Sequence, residues 1–223
     1  MKLIEYPDRE ALVLSLAQEI VGRLRQSLSS EGRATLCLPG GSTPEPLLSQ
    51  LADMALEWER VVVFPGDERC VPPDDARSNA GLLRRHLMAG PAAAAQFIDL
   101  FTGTGTLEEE AAAAAERLKP ALPITVLLLG MGEDMHVASL FPGNDGTLAA
   151  LEPGAPPVAV IHPDGGAEPR LTLTAPVLKK AMDPHLMIFG QSKREALERA
   201  AKLTPAEAPV RVVWGDLCVH WAE

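Results

Sequence analysis

Aromatic residues make up only 4% of this sequence and include a single tyrosine, so a core has to be built from aliphatic side chains. With 47% hydrophobic residues in 223, the chain can fill one large domain and leaves too little length for two. Positive charge is also in short supply. The 20 Lys and Arg stand against 30 Asp and Glu, a formal net charge of -10. Such a chain lacks the basic face that nucleic acid or an anionic membrane selects, and it can hold an anionic small molecule only through a local cluster of cations. Cysteine is sparse and scattered: Cys37, Cys70 and Cys218 form no CxxC pair and have no histidine at zinc-finger spacing. They read as small core or loop residues in a reducing compartment. No run approaches 18 apolar residues, and the opening MKLIEYPDREAL carries acidic residues where a secretory signal starts positive. The expectation is a cytoplasmic protein.

Two periodicities alternate along the chain. Apolar positions in Ala11 to Leu28 recur at helical spacing, with Asp8 placed to cap the first turn. Ala34 to Leu38 (ATLCL) is a short apolar run ending in Pro39-Gly40-Gly41, a buried strand entering a turn, and Pro44 sits where a helix begins. The same pattern predicts strands at Val61 to Phe64, Phe97 to Phe101, Ile124 to Leu129, Pro157 to Ile161, Leu186 to Phe189 and Val210 to Trp214. Helices are predicted at Asn79 to Met88, Leu107 to Leu118, Ala175 to Met182 and Lys193 to Lys202. Strands alternating with helices of this length imply βαβ units: an α/β protein with a Rossmann-like, mainly parallel sheet flanked by helices on both faces. Val71 to Ser78 and the Pro- and Gly-rich stretch from Leu151 to Arg170 read as loops around this framework, with no internal repeat and no long linker.

In such folds the carboxyl ends of the strands deliver the chemistry. The turn PGGSTPEPLL places Gly40, Gly41, Ser42 and Thr43 between a strand end and a helix N-terminus, where free backbone N–H groups suit an anion such as phosphate. Alternatively, Ser42 or Thr43 simply caps the helix. It is not a Walker loop, since the GK[ST] ending is absent. GDERCVPPDDARSN follows the strand at Val61 to Phe64 and brings Asp67, Glu68 and Arg69 to the same side, as site residues or as a solvated loop with Ser78 as a cap.

LLLGMGEDMHVASLFPG, Leu127 to Gly143, ends an apolar strand in glycines and at once presents Glu133, Asp134 and His136. It begins like a dinucleotide fingerprint, but Met135 holds the third glycine position and no acidic residue ends the next strand, so NAD is not expected. His136 is the candidate general base. Asp134 either holds its ring or caps a helix starting around Met135. The other histidines form no ligand spacing with this pair, so no metal is expected. Arg170, heading RLTLT, and Lys193, in GQSKREAL, supply the local cations: a fork for bidentate phosphate binding and a point charge.

Taken in order, GGSTP (Gly40 to Pro44), GDERCVPPDDARSN (Gly66 to Asn79), GMGEDMHVASLFPG (Gly130 to Gly143), RLTLT (Arg170 to Thr174) and GQSKREAL (Gly190 to Leu197) resemble the 6-phosphogluconolactonase family across nearly the whole chain. The resemblance implies a fold of the sugar-phosphate isomerase type and hydrolysis of 6-phosphogluconolactone to 6-phosphogluconate without metal or cofactor. It makes His136 the base that activates water, with Asp134 and Asp67 completing the catalytic group. The Gly40 to Thr43 turn, Arg69, Arg170 and Lys193 would surround the sugar phosphate. Where the family pattern has Gly between Asp and His, this chain has Met135. Related deaminases on the same fold carry a further acidic residue shortly after the motif His, and Val137 to Gly143 contains none. A non-catalytic sugar-phosphate sensor would need no such His, and usually carries a DNA-binding segment not seen here. The expected partner is the small sugar phosphate lactone, with neither nucleic acid nor membrane; oligomeric state is not legible.

Overall fold

A computed structural model describes all residues, Met1–Glu223. The chain runs β1 (Lys2–Glu5), α1 (Arg9–Glu31), β2 (Ala34–Leu38), α2 (Glu45–Ala52), β3 (Val61–Pro65), β4 (Asp67–Arg69) and α3 (Asn79–His86). It continues through β5 (Gln96–Phe97), α4 (Leu107–Leu118), β6 (Val126–Leu129), α5 (Asp145–Leu151), β7 (Val158–Ile161) and β8 (Arg170–Leu173). The last elements are α6 (Ala175–Leu178), β9 (Asp183–Phe189), α7 (Gln191–Ala200) and β10 (Cys218–Ala222). Seven strands form one sheet in the order β1-β10-β9-β6-β2-β3-β5. Every pairing in it is parallel. This is the expected α/β architecture. No helix is long and apolar enough to cross a membrane.

The apolar runs have no polar alternation because both faces of the sheet are covered. On β2 and β6, Leu36, Leu38, Val126 and Leu128 pack with α1 and α2 on one face. Their neighbours Cys37, Leu127 and Leu129 pack on the other face with Ala111, Ala114 and Leu118 of α4. Two caps act as read from the sequence. Asp8 accepts the Ala11 N–H at 2.7 Å to start α1, and the Ser78 hydroxyl accepts the Gly81 N–H at 3.0 Å to start α3.

A second sheet, β4-β8-β7, is antiparallel and was not foreseen. The chain enters it at Pro65-Gly66: the Gly66 N–H still donates to Leu38 of β2 at 2.9 Å, while its carbonyl accepts from Leu173 of β8 at 3.0 Å. The GDER stretch is thus not a plain loop. It is an edge strand lifted above the carboxyl ends of the main sheet, with Asp67, Glu68 and Arg69 paired to Thr172, Leu171 and Arg170.

Three expectations need correction. Val210 to Trp214 is not a strand: Pro209–Val213 forms a 3₁₀ turn, and the strand is β10, later in the chain. Its valines are buried against the core, and an apolar run that short has no period of its own to distinguish the two states. No helix starts near Met135; the next helix is α5, from Asp145. The predicted strand at Phe97 to Phe101 shrinks to Gln96–Phe97, paired with Val62 and Val63 of β3, and the last bond to β3 comes from the Ile98 N–H to the Val63 carbonyl at 3.0 Å.

Glu68 joins the two sheets' connections. It is 2% exposed, and its carboxylate accepts N–H bonds from Arg69, Asn79 and Ala80, each at 2.7 Å, and the Ser78 hydroxyl at 3.1 Å. Two of these donors are otherwise unpaired N–H groups of the first turn of α3. Replacing Glu68 by Ala strands several buried donors, so urea denaturation of Glu68→Ala is expected to show a loss of at least ~3 kcal/mol. A loss below about 1 kcal/mol would contradict this role.

Candidate active site

The carboxyl ends of β2, β6 and β9 and the overhanging β4 and β8 enclose a cleft of about 400 Å³. Gly40, Gly41, Thr43, Asp67, Arg69, Asn79, His136, Arg170 and Lys193 all line it. The sequence blocks, separated by up to 150 residues, therefore converge on one concavity. Ser42 does not join them: it is exposed and lies outside the lining. Nor does it or Thr43 cap α2, whose first turn has Pro44 at its start and no side-chain cap. The Gly40 and Gly41 N–H groups take no intramolecular hydrogen bond and are free for an anion. Gly40 is required by packing, because a Cβ there would fall 1.8 Å from the Asn79 side-chain oxygen.

His136 sits in a closed turn after β6. The Gly132 N–H donates to the His136 carbonyl at 3.0 Å, and the Met135 N–H donates to the Gly132 carbonyl at 2.9 Å. Inside this turn Asp134 Oδ1 lies 2.6 Å from His136 Nδ1 and also accepts the His136 backbone N–H at 3.2 Å. The carboxylate therefore holds the ring, the first of its two expected roles, and leaves Nε2 as the nitrogen able to accept a proton. Asp134 itself is outside the cleft lining. Phe141 packs against the imidazole with ring centroids 5.0 Å apart.

Met135 has φ 70°, the left-handed region that a glycine occupies without penalty. Its backbone is tied at both ends, by the bond to Gly132 and by the Val210 N–H donating to its carbonyl at 3.1 Å. The 3₁₀ turn read as a strand thus supports the loop that carries His136. Neither bond points the Met135 N–H into the cleft. α7 braces the loop from the other side: Lys193 Nζ donates to the Met131 carbonyl at 2.8 Å, and Ser192 Oγ donates to the Glu133 carboxylate at 3.0 Å.

Asp67 and Arg69 point into the cleft from β4. Asp67 is 7% exposed; one carboxylate oxygen accepts from the Ser139 hydroxyl and the other from the Asn79 amide at 3.3 Å. Arg69 and Arg170 are direct partners in the antiparallel ladder. Burial, followed by the neighbouring Arg69, lowers the Arg170 pKa. Arg69 donates to the Arg77 carbonyl, but its buried Nε has no acceptor in the protein. Two arginines from neighbouring strands, with Lys193 on the same cleft and Asp67 as the only carboxylate lining it, make a pocket that favours a multiply charged anion, although Glu168 pairs with Arg170 at 3.6 Å from outside the lining. This is the local positive cluster that an acidic chain requires.

Asn79, Ser139 and Thr172 escaped sequence reasoning. Ser139 is fully buried, donates its hydroxyl to the Asp67 carboxylate and is held by Thr172, whose hydroxyl oxygen accepts the Ser139 N–H at 3.2 Å. Asn79 was inside a quoted block, but nothing in its spacing says that its amide spans Asp67 while its side-chain oxygen abuts Gly40.

A family-wide sequence pattern described as glucosamine-6-phosphate isomerases/6-phosphogluconolactonase matches residues 7–221. The chain belongs to this family. A 6-phosphogluconolactonase of Pseudomonas aeruginosa is 42% identical over 210 residues, covering 92% of this chain and 88% of that relative. The crystal structure of a 6-phosphogluconolactonase from Shewanella baltica superposes with a TM-score of 0.95 at 29% identity, over 100% of this chain and 98% of the other. A monomeric glucosamine-6-phosphate deaminase, at 20% identity and TM-score 0.80 over 100% and 98% of the two chains, shares the fold. Within this family the fold is common to more than one chemistry, and the cleft has to discriminate.

Two substitutions test the loop. In Gly132→Ala the new Cβ would lie 2.2 Å from both Asp134 Oδ1 and His136 Nδ1, so the pair must separate. Folded protein by circular dichroism is expected, with Asp134 and His136 no longer hydrogen-bonded in a crystal structure of the variant. Met135→Gly removes left-handed strain of about 1–2 kcal/mol but adds unfolded-state entropy and loses packing of similar size. Its unfolding free energy is expected within about 1 kcal/mol of the parent's, and a larger loss would mean that the Met135 side chain, not the backbone ties, holds the loop.

Proposed function

We propose that this protein hydrolyses 6-phospho-D-glucono-1,5-lactone to 6-phospho-D-gluconate in one domain spanning the chain, with His136 as general base. The observation that carries the reading is the pairing of Asp134 with His136 at 2.6 Å in a cleft that also collects Arg69, Arg170 and Lys193. His136 Nε2 takes a proton from water as the oxygen attacks the lactone carbonyl carbon. The tetrahedral intermediate then collapses, the ring carbon–oxygen bond breaks, and the ring oxygen leaves as a hydroxyl after receiving a proton. Asp134 holds the tautomer and offsets the charge on the imidazolium. Arg69, Arg170 and Lys193, with the free N–H groups of Gly40 and Gly41, take the phosphate and the oxygens of the sugar. Asp67, held by Ser139 and Asn79, keeps that cationic wall in register and accepts from a sugar hydroxyl. The relatives named 6-phosphogluconolactonase, at up to 42% identity, support the reaction class.

The runner-up, amino-sugar phosphate deamination, calls for an acid close behind the motif histidine. The segment Val137 to Gly143 holds no carboxylate, which favours the lactonase.

A stopped-flow pH-indicator assay on freshly generated lactone, corrected for spontaneous opening, tests the proposal. Parent protein is expected to release acid far above background, and His136→Ala to lower kcat by about 10²–10⁴-fold with an unchanged fold. Equal kcat in both would remove His136 from the mechanism. Arg170→Gln is expected to act mainly on KM, since a phosphate remote from the reacting carbon is bound alike in ground and transition states. A pure kcat loss would place Arg170 at the carbonyl instead. Ammonia release from glucosamine 6-phosphate, with no lactone hydrolysis, would hand the assignment to the deaminases.

A further inference from the structure

A second cluster of ionisable side chains lies away from the cleft, near the amino-terminal ends of β9 and β10 and against α1. His185 and His220 are fully buried, and their rings meet with His185 Nδ1 3.0 Å from His220 Nε2. Cys218 is the register partner of His185 across the β10–β9 pair and shares a sheet face with His220, two residues along the strand. The Cys218 sulfur and one nitrogen from each ring lie within 4.8 Å of one another. From α1, Glu19 brings Oε2 to 4.0 Å from His220 Nε2.

Each imidazole is held from behind. His185 Nε2 donates to Asp183 Oδ2 at 3.0 Å, and the same oxygen pairs with Arg23 at 3.1 Å. Burial works against the Asp183 carboxylate, but the His185 hydrogen bond and Arg23 outweigh it, so its pKa is lowered. That bond fixes the hydrogen of His185 on Nε2 and leaves the Nδ1 lone pair facing inward. His220 Nδ1 lies 2.9 Å from the Tyr6 hydroxyl, which has Ser15 Oγ at 3.5 Å as an alternative acceptor. A carboxylate behind one ring and a hydroxyl behind the other, with the remaining nitrogens converging, is the outer-shell arrangement that orients metal-binding histidines.

We propose that His185, His220 and Cys218, whose donor atoms already converge, bind one divalent ion of the zinc class, with Glu19 turning in from α1 as the fourth donor. Two imidazoles, a thiolate and a carboxylate suit a tetrahedral, borderline-soft cation better than magnesium or calcium. Tetrahedral zinc needs its two nitrogens roughly 3.3 Å apart, so the 3.0 Å separation has to widen by a few tenths of an ångström. The protons balance. Cys218 gives up its thiol proton to solvent. The hydrogen of His220 moves from Nε2 to Nδ1 and donates to Tyr6, whose hydroxyl turns to Ser15. The thiolate forms as the cation replaces the thiol proton. Lys2, opposite Cys218 on β1, is exposed. The role is structural: four protein donors leave no open position. His185 also precedes the cleft residue Phe189 by four positions, about 13 Å along a strand. The ion would tie α1 to the strands β9 and β10.

Full-length protein freed of metal by chelation is titrated with Co²⁺ and, separately, Zn²⁺. The expected result is a thiolate-to-cobalt charge-transfer band with tetrahedral visible bands saturating at about one equivalent. Zinc is expected to raise the thermal midpoint by more than about 4 °C. Both effects should persist in His136→Ala and vanish in Cys218→Ala, a small change at a partly buried position. Absence of band and shift in the parent, survival of the band in Cys218→Ala, or binding lost in His136→Ala overturns the proposal.

Discussion

The Glu68 carboxylate, gathering three backbone N–H groups and the Ser78 hydroxyl, fastens β4 to the first turn of α3. The rest of the cleft depends on that fastening. On one side of Glu68, Asp67 reaches Ser139 and Asn79; on the other, Arg69 stands opposite Arg170 in the ladder. Two adjacent guanidiniums repel each other, and a flexible loop would let them part. A carboxylate with four donors holds the strand, so the two arginines stay opposite each other, with Asp67 and Glu168 offsetting part of their charge.

The loop carrying His136 follows the same logic with different means. Gly132 allows Asp134 and His136 to close over it, since no Cβ fits there. Met135 accepts a left-handed conformation because its N–H and carbonyl are both bonded, one to Gly132 and one from Val210. Val137 and Leu140, fully buried and bridged to one another, anchor the far end. The imidazole is thus placed by backbone bonds and one carboxylate.

The two ends of the main sheet are treated differently. At the carboxyl ends the chain leaves in glycine turns and keeps N–H groups and cations open to a ligand. Near the amino-terminal ends of β9 and β10 it buries two histidines, and satisfies them through Asp183, Arg23, Tyr6 and each other. Buried polar groups that are fully paired rigidify a core.

The parallel sheet and its strands at Ala34–Leu38 and Val126–Leu129 were legible from uninterrupted aliphatic runs, because burial on both faces erases alternation. Helix α1 and its Asp8 cap were legible because capping is local. Strand β4 was not, since a three-residue charged stretch becomes a strand only by pairing with β8, a hundred residues away. The Pro209–Val213 turn was misread because short apolar segments have no diagnostic period. Of the site, the ordered blocks named His136, Asp134, Asp67, Arg69, Arg170 and Lys193, since chemistry-bearing types at strand ends are a local pattern. Periodicity by itself determined the α/β architecture, and the ordered blocks carried the resemblance to the family. Only the tertiary structure decided that Asp134 holds a ring instead of capping a helix, that Ser42 faces away while Asn79 and Ser139 face in, and that the scattered Cys218, His185 and His220 meet. Those facts rest on distances between residues far apart in the chain, and no local propensity encodes such a distance.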